Sequence, residues 1–517
     1  MVTTLELQRR GLPYAVVVDG AATPASLADL DDKGLPYLVE VADGASMASR
    51  RALEARGLRY LVPVLVDATP AAKASLAAQG LRYAVQVDAD ILPADRLVLQ
   101  RQGLACYVEV DSSGNSVSAA AVGGAALLVG ETNGFATDFL WPVDAERVAV
   151  KTAGTVVSSG TSFFTNSGTS SKWVYNAAGV LVNIPAGTLA LDYDPVTHAA
   201  KGLLVEPQAT NLVTDSASGQ VGHLWIAQGA TATGGQPDPS GGNEAAQVAV
   251  TVNTAGNNYF RSFGTLTNGA TYTASMWLKG TAGQQIYFSA NTSQTGTHNI
   301  LVTFTGTWQR ITSTVVVNAT LAYMGIETLN RGGGANLPNV TFQCWGGQYE
   351  AGTVATSYIP TLAATATRAV DQVKLTPASI NYSATAGNWW VDLNQIRLVA
   401  AGQDRIIAYA SSSYAPMYFG NLGVFNLYDG PVIGVTGIVA AGDHKIAMAF
   451  QTGDRAIAAD NNGPTTDATA GINLGTPGAE ISIGCSVGGG EPIHGYIKKI
   501  RYLTRRPPNA ELKGTTL

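Results

Sequence analysis

Five glycines, Gly11, Gly34, Gly57, Gly80 and Gly103, recur every 23 residues, and a leucine follows each: Leu12, Leu35, Leu58, Leu81 and Leu104. Another leucine stands four residues before each glycine: Leu7, Leu30, Leu53, Leu76 and Leu99. This spacing predicts a helix that stops at the glycine. The position after the last turn is left-handed, where a Cβ is penalised, and the following leucine packs back on the earlier one. A strand comes next. Val16/Val18, Val39/Val41, Val62/Val64, Val85/Val87 and Val108/Val110 hold equivalent places, two and four residues after Tyr14, Tyr37, Tyr60, Tyr83 and Cys106. Alternation puts these residues on one buried face, opposite a mixed face with Glu40, Pro63, Gln86 and Glu109. Cys106 therefore reads as a small core residue.

Helix–strand units of this length make parallel strands with helical crossovers. Two arrangements satisfy them. The units stack as a small solenoid, or each docks separately on a larger particle. Residues 1–111 are expected to be an α/β attachment base.

The remainder of the chain reads differently. Over the whole chain only 13% of the 517 residues are charged and 58 are glycine, a composition of sheets and tight turns. The length accommodates three or four domains. A net charge of −6 without a Lys/Arg-rich block argues against a nucleic-acid surface. Cys106, Cys344 and Cys485 are few, odd in number and far apart, which disfavours a disulfide framework or a cysteine zinc site and indicates folding in a reducing cytoplasm. The N-terminus has no signal-like apolar run, and no stretch approaches the ~20 apolar residues of a membrane span.

Residues 112–212 read as a linker and connecting β region. The start is rich in Ser, Gly and Ala. Trp173–Val182 reads as a hairpin turning at Asn176–Gly179. Asp192 and Asp194 would share a strand face, which raises an acid–base pair or a cation site. Asp194-Pro195 is better read as a turn whose carboxylate caps backbone amides, and Glu206 before Pro207 as a structural acceptor. Leu191-Asp-Tyr-Asp-Pro-Val-Thr197 followed by Gly202-Leu-Leu-Val-Glu-Pro-Gln-Ala-Thr-Asn-Leu212 resembles a paired signature of bacteriophage tail-fibre and virion proteins, where it precedes a carbohydrate-binding-type sandwich.

Residues 213–371 have the strand spacing of an antiparallel sandwich, with alternating runs at 272–279, 285–289 and 308–317. Gln348-Tyr-Glu-Ala-Gly352 and Thr356-Ser-Tyr-Ile-Pro360 resemble the end of the carbohydrate-binding jelly-roll module of glycoside hydrolases and phage fibres. A sugar site needs exposed rings. Trp277, Tyr287, Trp308, Tyr323 and Trp345 are candidates; Trp277 and Trp308 lie in apolar strands and read as core. Tyr287 and Tyr323 are the candidates here for sugar contact.

Residues 372–517 read as a second sandwich, with strands at 389–393, 405–409, 444–450 and 481–484 and a hairpin turn at Asp460-Asn-Asn-Gly463. Its last part resembles the concanavalin-A-like or laminin-G-like lectin sandwich that ends many phage fibres. The ring-rich stretch with Tyr414, Tyr418, Phe419 and Tyr428 is the leading candidate for sugar contact, although a plain core strand accounts for it equally. Asp454, Asp460 and Asp467 match no calcium-loop spacing. Lys498, Lys499, Arg501, Arg505 and Arg506 read as a solvated face or a subunit contact.

The expected fold is thus mainly β with an α/β N-terminal part: five helix–strand repeats, then two antiparallel β-sandwich domains. Glycosidases need two carboxylates roughly 5–9 Å apart. No alternating acidic strand, nucleophile elbow, zinc motif or phosphate loop occurs, so no enzyme and no cofactor is expected. A cleft using Glu480 and Glu491 is the exception to keep in view. The resemblance implies a virion fibre or spike, made in the host cytoplasm. Residues 1–111 would engage other virion proteins, the sandwiches would engage host surface polysaccharide, and the assembly would be a homotrimer. The alternatives are a purely structural head-decoration, collar or neck protein, and a polysaccharide depolymerase.

Overall fold

A computed structural model describes residues 13–18, 24–33, 35–40, 51–53, 55, 58–63, 76, 78, 83–86, 104–109, 123–217, 225–253, 258–263, 266–291, 299–317, 322–330, 335–397, 402–409, 417–420, 424–428, 432–436, 441–468 and 478–516. Gly11, Gly34, Gly57, Gly80, Gly103 and Tyr414 lie outside these. The chain forms two compact units, residues 1–163 with 379–382 and 499–504, and residues 164–378 with 383–498 and 505–517. Both are mainly β. Among the described residues no helix is long and apolar enough to cross a membrane.

In the first unit the repeats supply the strands Tyr14–Val17, Tyr37–Glu40, Tyr60–Pro63, Tyr83–Gln86 and Cys106–Glu109. Each pairs in parallel with the next, and the fifth pairs with the first through Tyr14↔Val108 and Ala15↔Glu109, closing a barrel. This replaces both expected arrangements. A solenoid leaves two unpaired edges, whereas closure leaves none.

Closure also explains the second face. Val16, Val39, Val62 and Val85 are buried as expected, but so are Ala15, Ala84 and Tyr107 on the face read as mixed. Parallel strands are characteristically covered on both sides. The helix stops are visible in two repeats. The amide of Leu35 donates to Leu30 O at 2.9 Å and that of Leu58 to Leu53 O at 3.0 Å, the six-to-one bond of a Schellman ending. Leu30 and Leu35 then share one apolar cluster, and Leu53 and Leu58 another. Trp141 and Val143 extend the first of these clusters.

The second unit contains two sandwiches. The first has a sheet ordered Ile226–Ala227, Tyr259–Phe263, Ala322–Glu327, Gln285–Asn291, Asn299–Thr303. It faces a sheet ordered Ala230–Gln236, Ala245–Val250, Thr341–Ala351, Thr271–Gly280, Gln309–Val316. Inward residues such as Ile286, Phe288, Met324, Met276, Leu278 and Phe342 make one core.

The other sandwich is discontinuous in sequence. One of its sheets joins Val373–Leu375 to Thr165–Asn166, and the other joins His494–Leu503 to Ala200–Val205. The stretch expected to be a connector thus supplies strands to the C-terminal sandwich, and residues 213–365 form an insertion within it. The chain enters and leaves that insertion through the paired strands Ala209–Asn211 and Ala366–Arg368. Asn211 ties this stem down: its Nδ2 donates to Gly347 O and Ile359 O, and its Oδ1 accepts from Val213 N and Tyr349 N.

Candidate functional site

Two places in the second unit combine aromatic rings with buried polar groups. The first is the outer face of the sheet that carries Gln285–Asn291. Ile286, Phe288 and Ala290 point into the core, so alternation turns Tyr287 and Ser289 outward. Register brings Glu327 beside Tyr287, Gly325 beside Ser289, and Phe260 beside Gly325. The rings of Phe260 and Tyr323 meet edge-on at 6.3 Å.

Between the rings lies a polar strip. Ser289 Oγ is within hydrogen-bond reach of the Glu327 carboxylate and of Asn299 Oδ1, the latter at 2.8 Å. Its single proton favours the charged acceptor. Glu327 and Ser289 are fully buried, while Tyr287 and Tyr323 are half-buried. Gly325 leaves a gap in the row between Phe260 and Ser289. The half-buried rings can stack on a ligand that has an apolar ring face, while the buried polar strip fixes the strands that carry them.

The second place is a cavity of about 180 Å³. Both blocks of the paired signature line it, through Asp192 and Pro195 and through Leu204 and Glu206. Asp192 accepts from Tyr496 Oη at 2.7 Å, Lys201 Nζ at 2.8 Å and Tyr175 N at 2.9 Å. Burial raises the phenols of Tyr175 and Tyr496 above their ordinary value, so both stay neutral donors. Tyr175 Oη in turn accepts from Trp277 Nε1 at 2.8 Å.

Glu206 lies deeper. Its carboxylate meets Arg368 at 3.3 Å, Lys172 at 3.4 Å and His494 at 3.5 Å, and it accepts from both the amide and the hydroxyl of Ser357 at 2.7 Å. Asp371 pairs with the same lysine. Burial would raise the Glu206 carboxyl, but Arg368 and Lys172 override it and hold it well below the usual range. Glu206 is thus the structural acceptor expected, at the stem of the insertion.

Asp194 Oδ1 accepts from Thr197 N at 2.7 Å and Val196 N at 2.9 Å, so it is the turn cap and not half of an acid pair. Phe419 is fully buried and Tyr418 nearly so, and neither offers a face to a ligand. Phe419 packs on Phe425 and His444. Tyr428 is half-buried at the end of Val424–Tyr428. Trp277 and Trp345 are buried and packed on each other, while Trp308 is half-buried.

Asp454, Asp460 and Asp467 pair with Arg506, His444 and Arg455. Among the described residues no acidic, histidine or cysteine group is arranged to hold a metal. Glu480 pairs with Lys374 and Glu491 with Arg405. Most of the basic C-terminal stretch is likewise paired: Lys498 with Asp443, Lys499 with Asp138 and Arg505 with Glu511. Sequence reasoning missed Glu327 and Ser289, because nothing local marks an acid on a strand as outward yet enclosed.

No protein-family model matches the chain, and no curated protein matches it. Several solved structures are similar in part. The carbohydrate-binding module CBM40 of the Ruminococcus gnavus IT-sialidase, bound to α2,3-sialyllactose, is 11% identical at a TM-score of 0.23, covering 26% of this chain and 84% of that one. The CBM22 tandem domain of Paenibacillus barcinonensis Xyn10C is 9% identical at 0.21, covering 61% and 95%. Domains LG4–5 of the mouse laminin α1 chain are 10% identical at 0.18, covering 47% and 86%.

Proposed function

We propose that this chain is a glycan-binding protein of a bacteriophage virion, a tail fibre or spike that holds host surface polysaccharide through the inserted sandwich. The observation that carries the binding role is the outer sheet face where Phe260, Tyr287 and Tyr323 surround the Ser289–Glu327–Asn299 strip. Rings supply the surface for sugar CH groups, and the fully buried Ser289–Glu327 pair braces the sheet beneath them. The virion role is supported by the paired signature at Leu191–Thr197 and Gly202–Leu212. In this reading the closed barrel of repeats is the attachment base for other virion proteins, the chain is a homotrimer made in the host cytoplasm, and it cleaves nothing. Weak single sites would then act together through avidity.

A glycan array probed with the full chain tests the binding role. Saturable binding to a polysaccharide class, reduced by Tyr287→Ala or Tyr323→Ala, is expected. Imaging of the particle with this chain located tests the virion role, and release of reducing ends from host capsule would overturn the non-enzymatic one. A second reading, a purely structural virion part, is favoured by the burial of Tyr418, Phe419, Trp277 and Trp345. An array without any binding would select it.

A further inference from the structure

The cavity beside the stem is lined by one cation, Arg310, that no carboxylate touches among the described residues. Arg310 sits on the strand Gln309–Val316 directly across from Trp277, with its guanidinium 4.5 Å from the Trp277 ring centre. One amino group donates to Ser275 Oγ at 3.0 Å, while the buried Nε finds no acceptor. No carboxylate oxygen lies within 4.0 Å of it among the described residues.

The nearby acids bond other groups, and Glu350, whose direct partners are neutral, offsets the Arg310 charge only at longer range. Asp192 is held by Lys201, Tyr496 and Tyr175 N. Glu206 is held by Arg368, Lys172 and Ser357. Glu350 accepts from Gln348 Nε2 and from both the amide and hydroxyl of Thr356. A guanidinium does not discharge at neutral pH, so the half-buried Arg310 presents a charged fork at the cavity wall without a direct carboxylate contact. Trp173 Nε1, which also lines the cavity, is a second buried donor without an acceptor.

We propose that this cavity binds a hexuronic acid residue of an acidic polysaccharide, with its carboxylate on Arg310. A carboxylate matches the planar guanidinium fork through its terminal amino groups. The rings of Trp173, Tyr175 and Tyr496 give the sugar ring apolar walls. A cavity of about 180 Å³ is on the scale of one sugar ring. Exposed Pro195 marks the mouth, through which the rest of a polymer would leave. The inference borrows from the proposed function only the idea that the ligand is a saccharide. The site itself is separate from the outer sheet face.

The test is titration of the full chain with glucuronic acid, followed by the fluorescence of the tryptophans lining the cavity. Glucose and acetate serve as comparison ligands. Glucuronate should bind saturably, with glucose and acetate each at least about tenfold weaker. Arg310→Gln should weaken glucuronate by at least about tenfold. Arg310→Lys, which keeps the charge but loses the fork, should also weaken it, and it carries the comparison if the glutamine variant does not fold. Tyr287→Ala should leave glucuronate binding unchanged, so failure on the array and failure here are distinct results. No saturable response to glucuronate, equal binding of glucose or acetate, or unaltered affinity in a folded Arg310 variant would each overturn the proposal.

Discussion

Glu206 shows how much one side chain can decide. It is buried among Lys172, Arg368 and His494 at the stem of the insertion. Removing one member of such a set strands the others, so Glu206→Gln should destabilise the second unit by about 3–5 kcal/mol, read as a lowered denaturant midpoint. An unchanged midpoint would contradict the cluster's role. The same carboxyl gives a pH dependence. Its folded value is depressed below the ordinary 4.5, so its stabilisation is complete above that value. Stability is lost as pH falls from there toward the lowered folded value. Wild type should therefore lose more stability on acidification through this window than Glu206→Gln does, and parallel acid curves would refute the assignment. At this scale the sequence was partly legible. Asp194-Pro195 announced a turn and Glu206 a structural acceptor because both roles follow from local chemistry. Tyr418 and Phe419 misled because ring density looks the same in a core strand and on an exposed face. Arg310 was silent, since its lack of a direct carboxylate contact depends on how three distant acids are bonded.

Among the elements, the five strands of the repeats and the helix stops at Leu35 and Leu58 followed from period and glycine position. Closure did not, because it joins Tyr14 to Val108 at the two ends of the repeat array. Val85 is buried in the cluster shared with Val16 and Leu104. Val85→Asp would place an unpaired charge there at a cost of about 3 kcal/mol or more. Hydrogen exchange should then accelerate at the amides of Val16, Val39 and Val85, which donate to Pro36, Arg59 and Ala105 carbonyls. Ala447 and Met448, in the second unit's strand Gly442–Gln451, should stay protected. Unaltered exchange in the repeats would argue against the barrel. In the second unit, Gly202 has φ of +113°, and a Cβ there would stand 2.5 Å from Ile497 O. Gly202→Ala should cost about 2–3 kcal/mol and lower the melting temperature, since the clash is with backbone in a paired strand. A melting temperature equal to wild type would show that the pairing of Ala200–Val205 with His494–Leu503 is looser than described.

At the scale of the molecule, two sandwiches were legible from strand spacing, and the hairpins at Asn176–Gly179 and Asp460–Gly463 from their turn residues. The nesting of one sandwich inside the other was not. It depends on pairings such as Leu203↔Ile497 and Lys374↔Thr165, which no local pattern encodes. The fibre reading predicts a solution mass near three times the 53.5 kDa chain, and light scattering that reports a monomer would contradict it. The central claim, that the outer face of the inserted sandwich holds sugar, is tested most directly by calorimetric titration of the full chain with the tightest polysaccharide found on an array. The Tyr287→Ala/Tyr323→Ala double variant is titrated beside wild type. The account predicts at least about a tenfold loss of affinity in the variant with its fold intact; equal affinity in the two proteins would contradict it.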